Sequence, residues 1–309
     1  MRNPATYTND IASRNILPFK FCYSLPPSLL KLPYFPVLLL LLLSSCYTPR
    51  YVYSPAAQNV PMFTQKGDSK LGILYSSNAG GNHDLVKYGN QSSNGLDIQA
   101  AYALSKHWAV QGNYFYRHEQ NSDDNNTPEP TLIRYNRHLT EAAIGYFAPV
   151  NESHNIIFQG YAGAGFGRFR FKDYQTNGND IQYRNFHSAG IFKLFLQPVL
   201  MYQDKKQYAV SVSSRFSFID YRKIKTDYDS SQLALYELNA LKKGLTVFWE
   251  PAIVFTYGFK KLPYFRLEAQ AGVAALLNKK FVDTRTMNAS IGIQADLVNW
   301  FRPKPVRKK

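Results

Sequence analysis

Acid–base chemistry needs an imidazole or carboxyl held within hydrogen-bond reach of its partner. A few short stretches of this sequence set such groups side by side. His83-Asp84, His118-Glu119 and His187-Ser188 place an imidazole next to a carboxylate or hydroxyl, with His138 and Asp123-Asp124 as further groups. None of them falls at a spacing that marks a hydrolase, so catalysis is not expected. Gly163-Ala-Gly-Phe-Gly167 is glycine-rich. No helix follows it to offer an N-terminus, so it is not a phosphate loop. No zinc, calcium or Walker spacing occurs, and neither a metal nor a cofactor is expected.

The elements that must position these residues show in the hydrophobic pattern, whose period is two almost throughout. From Phe265 to Ala275 the apolar residues alternate with Arg266, Glu268 and Gln270. Leu245, Val247, Trp249, Ile253, Phe255 and Tyr257 oppose Thr246, Glu250 and Thr256. Such alternation gives each strand one apolar and one polar face. It predicts about ten strands, near 70–77, 95–104, 108–117, 134–147, 155–172, 183–202, 208–224, 245–259, 264–276 and 287–298. Several match the 9–11 residues that cross a membrane at a tilt. Pro198 and Pro251 fall inside strands, where a lost ladder bond usually marks a bulge or edge. The pattern predicts phase slips between Phe166 and Phe169 and near Tyr221, and residues 230–243 read as a short helix.

Short and long connections alternate along the chain. Aromatics gather beside the short turns (Tyr102, Trp108, Tyr146, Tyr202, Tyr257) and toward the long loops (Tyr114, Phe166, Trp249). This is the layout of a membrane barrel with two aromatic girdles. The first connection is long, so both termini are expected on the short-turn side. The polar faces then line a lumen, and Asp97, Glu141, Lys193, Arg215, Glu250, Arg266, Glu268 and Asp296 are expected there as a charge network. Charges of both signs in a narrow interior must pair. Arg117, Arg134, Arg137, Arg168, Arg170, Lys172, Arg184 and Arg222 lie near the long loops and are expected to form a basic, anion-binding rim.

Residues 37–46, VLLLLLLSSC, follow Lys31 and end in Leu43-Ser44-Ser45-Cys46. The run is too short for a membrane helix of about 20 apolar residues. It fits the apolar region of an export signal. Leu43-Ser44-Ser45-Cys46 resembles the lipobox of bacterial lipoproteins, in which the chain is cut before a Cys that carries lipid on its thiol. With the strand pattern, residues 46–301 resemble the outer-membrane β-barrel proteins of diderm bacteria, in a lipoprotein variety. The resemblance implies a signal peptide at 1–45, acylation at Cys46, a periplasmic linker at 46–69, a barrel at 70–301 and a basic tail at 302–309. Residues 29–46 alone would make a complete signal, which a start downstream of Met1 would explain. Removing 1–45 takes Cys22 with it and lowers the net charge of +15 to about +12.

The expected protein is all-β: a ten-stranded, antiparallel, up-and-down transmembrane barrel with a signal peptide and linker. It would sit in the outer membrane with its N- and C-termini in the periplasm. Its implied partners are membrane lipid, lipopolysaccharide at the basic rim, and the barrel assembly machinery that reads an aromatic terminus such as Trp300-Phe301. An exported location makes nucleic acid a poor partner for the positive charge. The expected role is structural or ligand-binding through the long outer loops, with a lumen closed by side chains. The alternatives are a narrow pore and a barrel hydrolase.

Overall fold

Along β1 (Ser69–Ala79), Leu71, Ile73 and Tyr75 face out while Lys70, Leu74 and Ser76 are buried. The same alternation recurs in β2 (Asn90–Ala103), β3 (Trp108–Asp123), β4 (Thr131–Pro149), β5 (Ile156–Asn177), β6 (Asp180–Asp204), β7 (Tyr208–Thr226), β8 (Thr246–Phe259), β9 (Leu262–Val273) and β11 (Met287–Ala295). The two-residue β10 (Ala275–Leu276) continues β9 past a break at Ala274, and both pair with β8. These are the strands that the alternation predicts, several running further toward the long loops. The computed structural model describes residues 48–81, 90–123, 131–177, 180–204, 207–279 and 282–301. The signal at 1–45, Cys46, the tail at 302–309, His83-Asp84 and Asp124 lie outside the described residues.

With β9 and β10 counted as one strand, every strand pairs antiparallel with its sequence neighbour, and the last strand, β11, also pairs with β1. The sheet therefore closes as a ten-stranded, all-β barrel, with β9 and β10 as one strand. Closure leaves no edge whose N–H and C=O groups lack a partner. The wall is uneven: β6 has 25 residues and β5 has 22, against 9 in β11. The β5–β6 hairpin thus stands beyond the rest, and residues 181–184 at its tip are exposed on both faces.

The irregularities differ from those the sequence suggests. Pro198 sits outward in unbroken register, between Leu196↔Phe216 and Val199↔Ser213. Pro251 lies where the partner of β8 passes from β10 to β9, again without a register shift. The alternation does not slip at 166–169: Gly167 and Phe169 face in, and Phe166 and Arg168 face out. The break near Tyr221 is a bulge between Ser188 and Gly190 of β6 and the facing β7, where Lys223 has a φ of 49°. That left-handed residue re-aims the strand above the regular wall.

The helix expected at 230–243 is two pieces, α1 (Ser230–Leu235) and a 3-10 turn (Leu238–Lys242). Asp229 caps α1 by accepting from the Gln232 amide at 2.8 Å, and the Gln232 side chain accepts from the Asp229 amide. The Ser231 hydroxyl and Gln232 amide hold the Asp229 carboxyl below the usual carboxylate range. Leu238 and Leu241 are buried with Tyr228 in the apolar cluster at the long-loop end of the lumen.

β4 and β5 approach closely through glycine. A Cβ on Gly167 would lie 2.1 Å from the His138 carbonyl oxygen, whereas one on Gly160 would meet only the Phe158 ring at 3.6 Å. Gly167→Ala should destabilise the barrel by about 1–3 kcal/mol, the usual range for overpacking. Gly160→Ala should be close to neutral. Urea unfolding of the two purified variants distinguishes them, and equal midpoints would contradict the close approach.

Candidate functional site

The lumen is filled by the chain's own N-terminal segment. From Arg50 to Pro61 every residue is buried, although 46–69 reads in sequence as a linker outside the barrel. The segment starts at the long-loop end. Arg50 pairs with Asp173 at 2.5 Å and stacks 4.1 Å over Tyr236. Tyr51 lies under the Arg285 guanidinium at 4.1 Å, and Tyr53 stacks on Phe248 at 4.1 Å. The Ser54 hydroxyl donates to Glu119 at 2.8 Å, and Arg137 reaches Ser54, Glu119 and the Tyr51 carbonyl.

Deeper in, Gln58 and Asn59 fasten the segment to several strands. The Gln58 amide donates to Gln270 at 2.6 Å, and its side-chain carbonyl accepts from Ser213 at 2.6 Å. Asn59 donates to the carbonyls of Ala100 and Gly112, and its own carbonyl accepts from Gln197 at 3.0 Å. The Pro61 carbonyl accepts from Gln159 at 2.8 Å. Phe63 then packs on Phe147 near the short turns. Asp68 gathers the Thr64 and Gln65 amides at 2.7 and 3.0 Å, turning the chain into β1.

Charge lies between two apolar layers. Toward the long loops, Tyr51, Tyr53, Phe115, Tyr135, Phe169 and Phe248 belong to one aromatic cluster. Near the turns, Phe63, Ala103, Ala109, Phe147 and Met201 make a second. Between them, Lys193 sits 3.0 Å from Glu141 and 3.5 Å from Glu250, and Arg215 lies 3.3 Å from Glu141. Arg215 also donates twice to Gln197, and Tyr53 donates to Glu250. Buried charges persist only when paired and hydrogen-bonded.

The structure distributes the expected lumen charges over several places. Glu141, Lys193, Arg215 and Glu250 form the central group. Asp97 stands apart, bound to Arg117 at 2.6 Å and to the Ser76 hydroxyl at 2.5 Å. Glu268 pairs with Lys70 at 2.7 Å. Asp296 accepts from Ser69 at 2.8 Å near the turns, and Arg266 is buried on the inner face of β9. Two residues expected on the rim, Arg117 and Arg137, point inward and are fully enclosed. Their parity in β3 and β4 matches that of Asn113 and Glu141. That parity is a readable signal, and it overrides their nearness to the loops. Lys70, Glu119, Arg50, Asp173 and Arg285 join the lumen beyond those the sequence picks out.

Arg134, Arg168, Arg170, Lys172, Arg184 and Arg222 are exposed at the long-loop end of β4–β7. A cleft of about 450 Å³ opens there between Phe166, Arg168, Gly190, Phe192, Arg222 and Lys225. Arg222 stacks 4.5 Å over Phe192 and pairs with Asp220 at 2.6 Å. Among the described residues, the histidine pairs are not brought together as sites. His118 is outside while Glu119 is inside, and exposed His138 is also on the outer face. His187 is buried and stacks on Phe171 with neither ring nitrogen bonded.

No family model matches the chain, and no curated protein matches it. Among solved structures it is similar to the translocator domain of autotransporter NalP from Neisseria meningitidis, at 10% identity and a TM-score of 0.40. That match covers 74% of this chain and 88% of the other. It is similar to an outer-membrane channel from Pseudomonas putida F1, at 9% identity and a TM-score of 0.37, covering 77% and 99%. It is also similar to the outer-membrane protease OmpT from Escherichia coli, at 10% identity and a TM-score of 0.38, covering 74% and 93%.

Removing one member of an enclosed ion pair leaves the other unpaired, which costs about 3–5 kcal/mol. Asp97→Ala should lower stability by that order, and adding Arg117→Leu should recover part of the loss. Chemical unfolding of both variants measures the difference. A double variant weaker by the full sum of its single changes would rule out a private pairing.

Proposed function

We propose that this chain is an outer-membrane β-barrel lipoprotein, closed at rest, that acts as a structural element or a binder of anionic ligands through its long-loop face. The occupied lumen carries this reading: residues 50–61 fill the space through which solute would pass. The outer surface supports the membrane setting. Ile73, Ile144, Leu196, Val212, Ile253 and Ile291 are exposed apolar residues on a closed sheet. Water would penalise that belt, whereas lipid accepts it. Trp108, Tyr146, Tyr202 and Tyr257 flank it at the turn end, and Tyr114, Phe166 and Trp249 at the loop end. In this reading the short turns face the periplasm and the long loops face outward.

The basic cleft favours a phosphorylated ligand near the membrane surface, with lipopolysaccharide as the chemically natural one. Arg168, Arg222 and Lys225 supply donors and Phe166 and Phe192 an apolar floor, so a phosphate and an acyl chain are served together. A constitutive pore is disfavoured by the filled lumen, and a hydrolase by the described histidines, among which His118 and His138 face outward and His187 stacks on Phe171.

In planar bilayers the wild-type protein should be silent. Combining Tyr51→Ala, Tyr53→Ala and Arg50→Glu should loosen the upper segment and produce conductance steps. Steady wild-type conductance would refute the closed barrel. Lipopolysaccharide retention should fall with added salt and with Arg168→Glu plus Arg222→Glu. Retention unaltered by both changes would remove the cleft as the binding surface.

A further inference from the structure

The threaded segment has a direction. Its start is fastened among the long loops, where Arg50 bonds the Thr48 carbonyl and pairs with Asp173, and the Val52 amide donates to the Asp283 carbonyl at 2.9 Å. It ends among the short turns, where Gly67 donates to the Ala103 carbonyl at 2.8 Å. Tyr51 and Phe63 are twelve residues apart, and so are Tyr135 and Phe147, the residues of β4 against which their rings lie. The segment therefore runs alongside β4, from mouth to mouth. The far end of the described chain is on the turn side: the helix Leu297–Phe301 is tied to β1 by a bond from the Val298 amide to Ser69 at 3.0 Å.

The hydrocarbon core of a membrane is about 30 Å thick. Thr48, fastened among the long loops, reaches the turn side only if the segment leaves the lumen. Its leaving would strip Asp173 of the Arg50 guanidinium, and would take the Ser54 hydroxyl and the Tyr51 carbonyl from the Glu119–Arg137 pair. Buried charges deprived of partners are strongly penalised.

We infer that the barrel holds its lumen segment with the Thr48 end on the long-loop side of the membrane, opposite the face that carries the C-terminal helix. The inference rests on the reading of the chain as a membrane-embedded barrel. It stands against the expectation that both termini lie in the periplasm.

The side can be read with a single thiol. Cys22 and Cys46 are the protein's two cysteines, and both are silent if the first is removed with the signal and the second acylated. Thr48→Cys should react with a membrane-impermeant maleimide on intact cells, in step with Ser230→Cys in a long loop. Ser153→Cys in a short turn should react only after the outer membrane is permeabilised. Labelling of Thr48→Cys in step with Ser153→Cys would overturn the inference. An epitope inserted between Tyr47 and Thr48, probed by antibody on intact cells, reads the same side should the thiol be shielded. Acylation is checked separately by radiolabelled palmitate, whose incorporation should be lost in Cys46→Ser. Absence of palmitate from the wild type would sink the acyl anchor and leave the threading to stand or fall on the labelling.

Discussion

A closed ring of ten strands satisfies its own backbone and leaves one demand unmet: the inside must be filled and its charges neutralised. Everything else follows from that demand. The inward faces carry Asp97, Glu119, Glu141, Glu250 and Glu268 against Lys70, Arg117, Arg137, Lys193 and Arg215. Side chains alone pair many of them. The remaining space takes a length of polypeptide, which supplies Tyr53 to Glu250, Ser54 to Glu119 and Arg50 to Asp173. The interior is thereby layered, with aromatics and the Arg50–Asp173 pair at one end, the Glu141–Lys193–Arg215–Glu250 group in the middle, and alanine and phenylalanine at the other.

The barrel is legible in the sequence because a two-sided wall writes itself as alternation, and the short turns separate its strands. The contents of the barrel are less legible. Residues 51–65 hold prolines, glutamines and an asparagine, the composition of a solvated linker. They also hold no charge at all, in a chain whose charged residues make up 18% of the total. That gap suits burial, but it is an absence and competes poorly with positive signals. Arg117 and Arg137 show the same weakness in another form. Proximity to loops suggests a surface role, while strand parity places them with Asn113 and Glu141. Parity decides, because a strand residue cannot change face without moving its neighbours as well.

The uneven wall separates two environments at the loop end. β5 and β6 rise past their neighbours and carry Arg168, Arg170, Lys172 and Arg184 outward, clear of the filled lumen. The bulge opposite Ser188 and Gly190 turns Lys223 off the regular line of β7 and opens the cleft beneath it. The basic outer surface thus lies across the wall from the interior ion pairs, and Arg184 acts on one of them through its charge on Asp173. The helical loop with buried Leu238 and Leu241 belongs to the interior, closing the aromatic layer from above.

The ladder between β1 and β11 joins the first strand to the last, and β1 directly follows the filling segment. A ring of staves is closed by its first and last members, and here the first is continuous with what the ring encloses. The turn gathered by Asp68 joins the two, so a pull on the strap inside is a pull on the seam outside. Contents and closure share a single backbone.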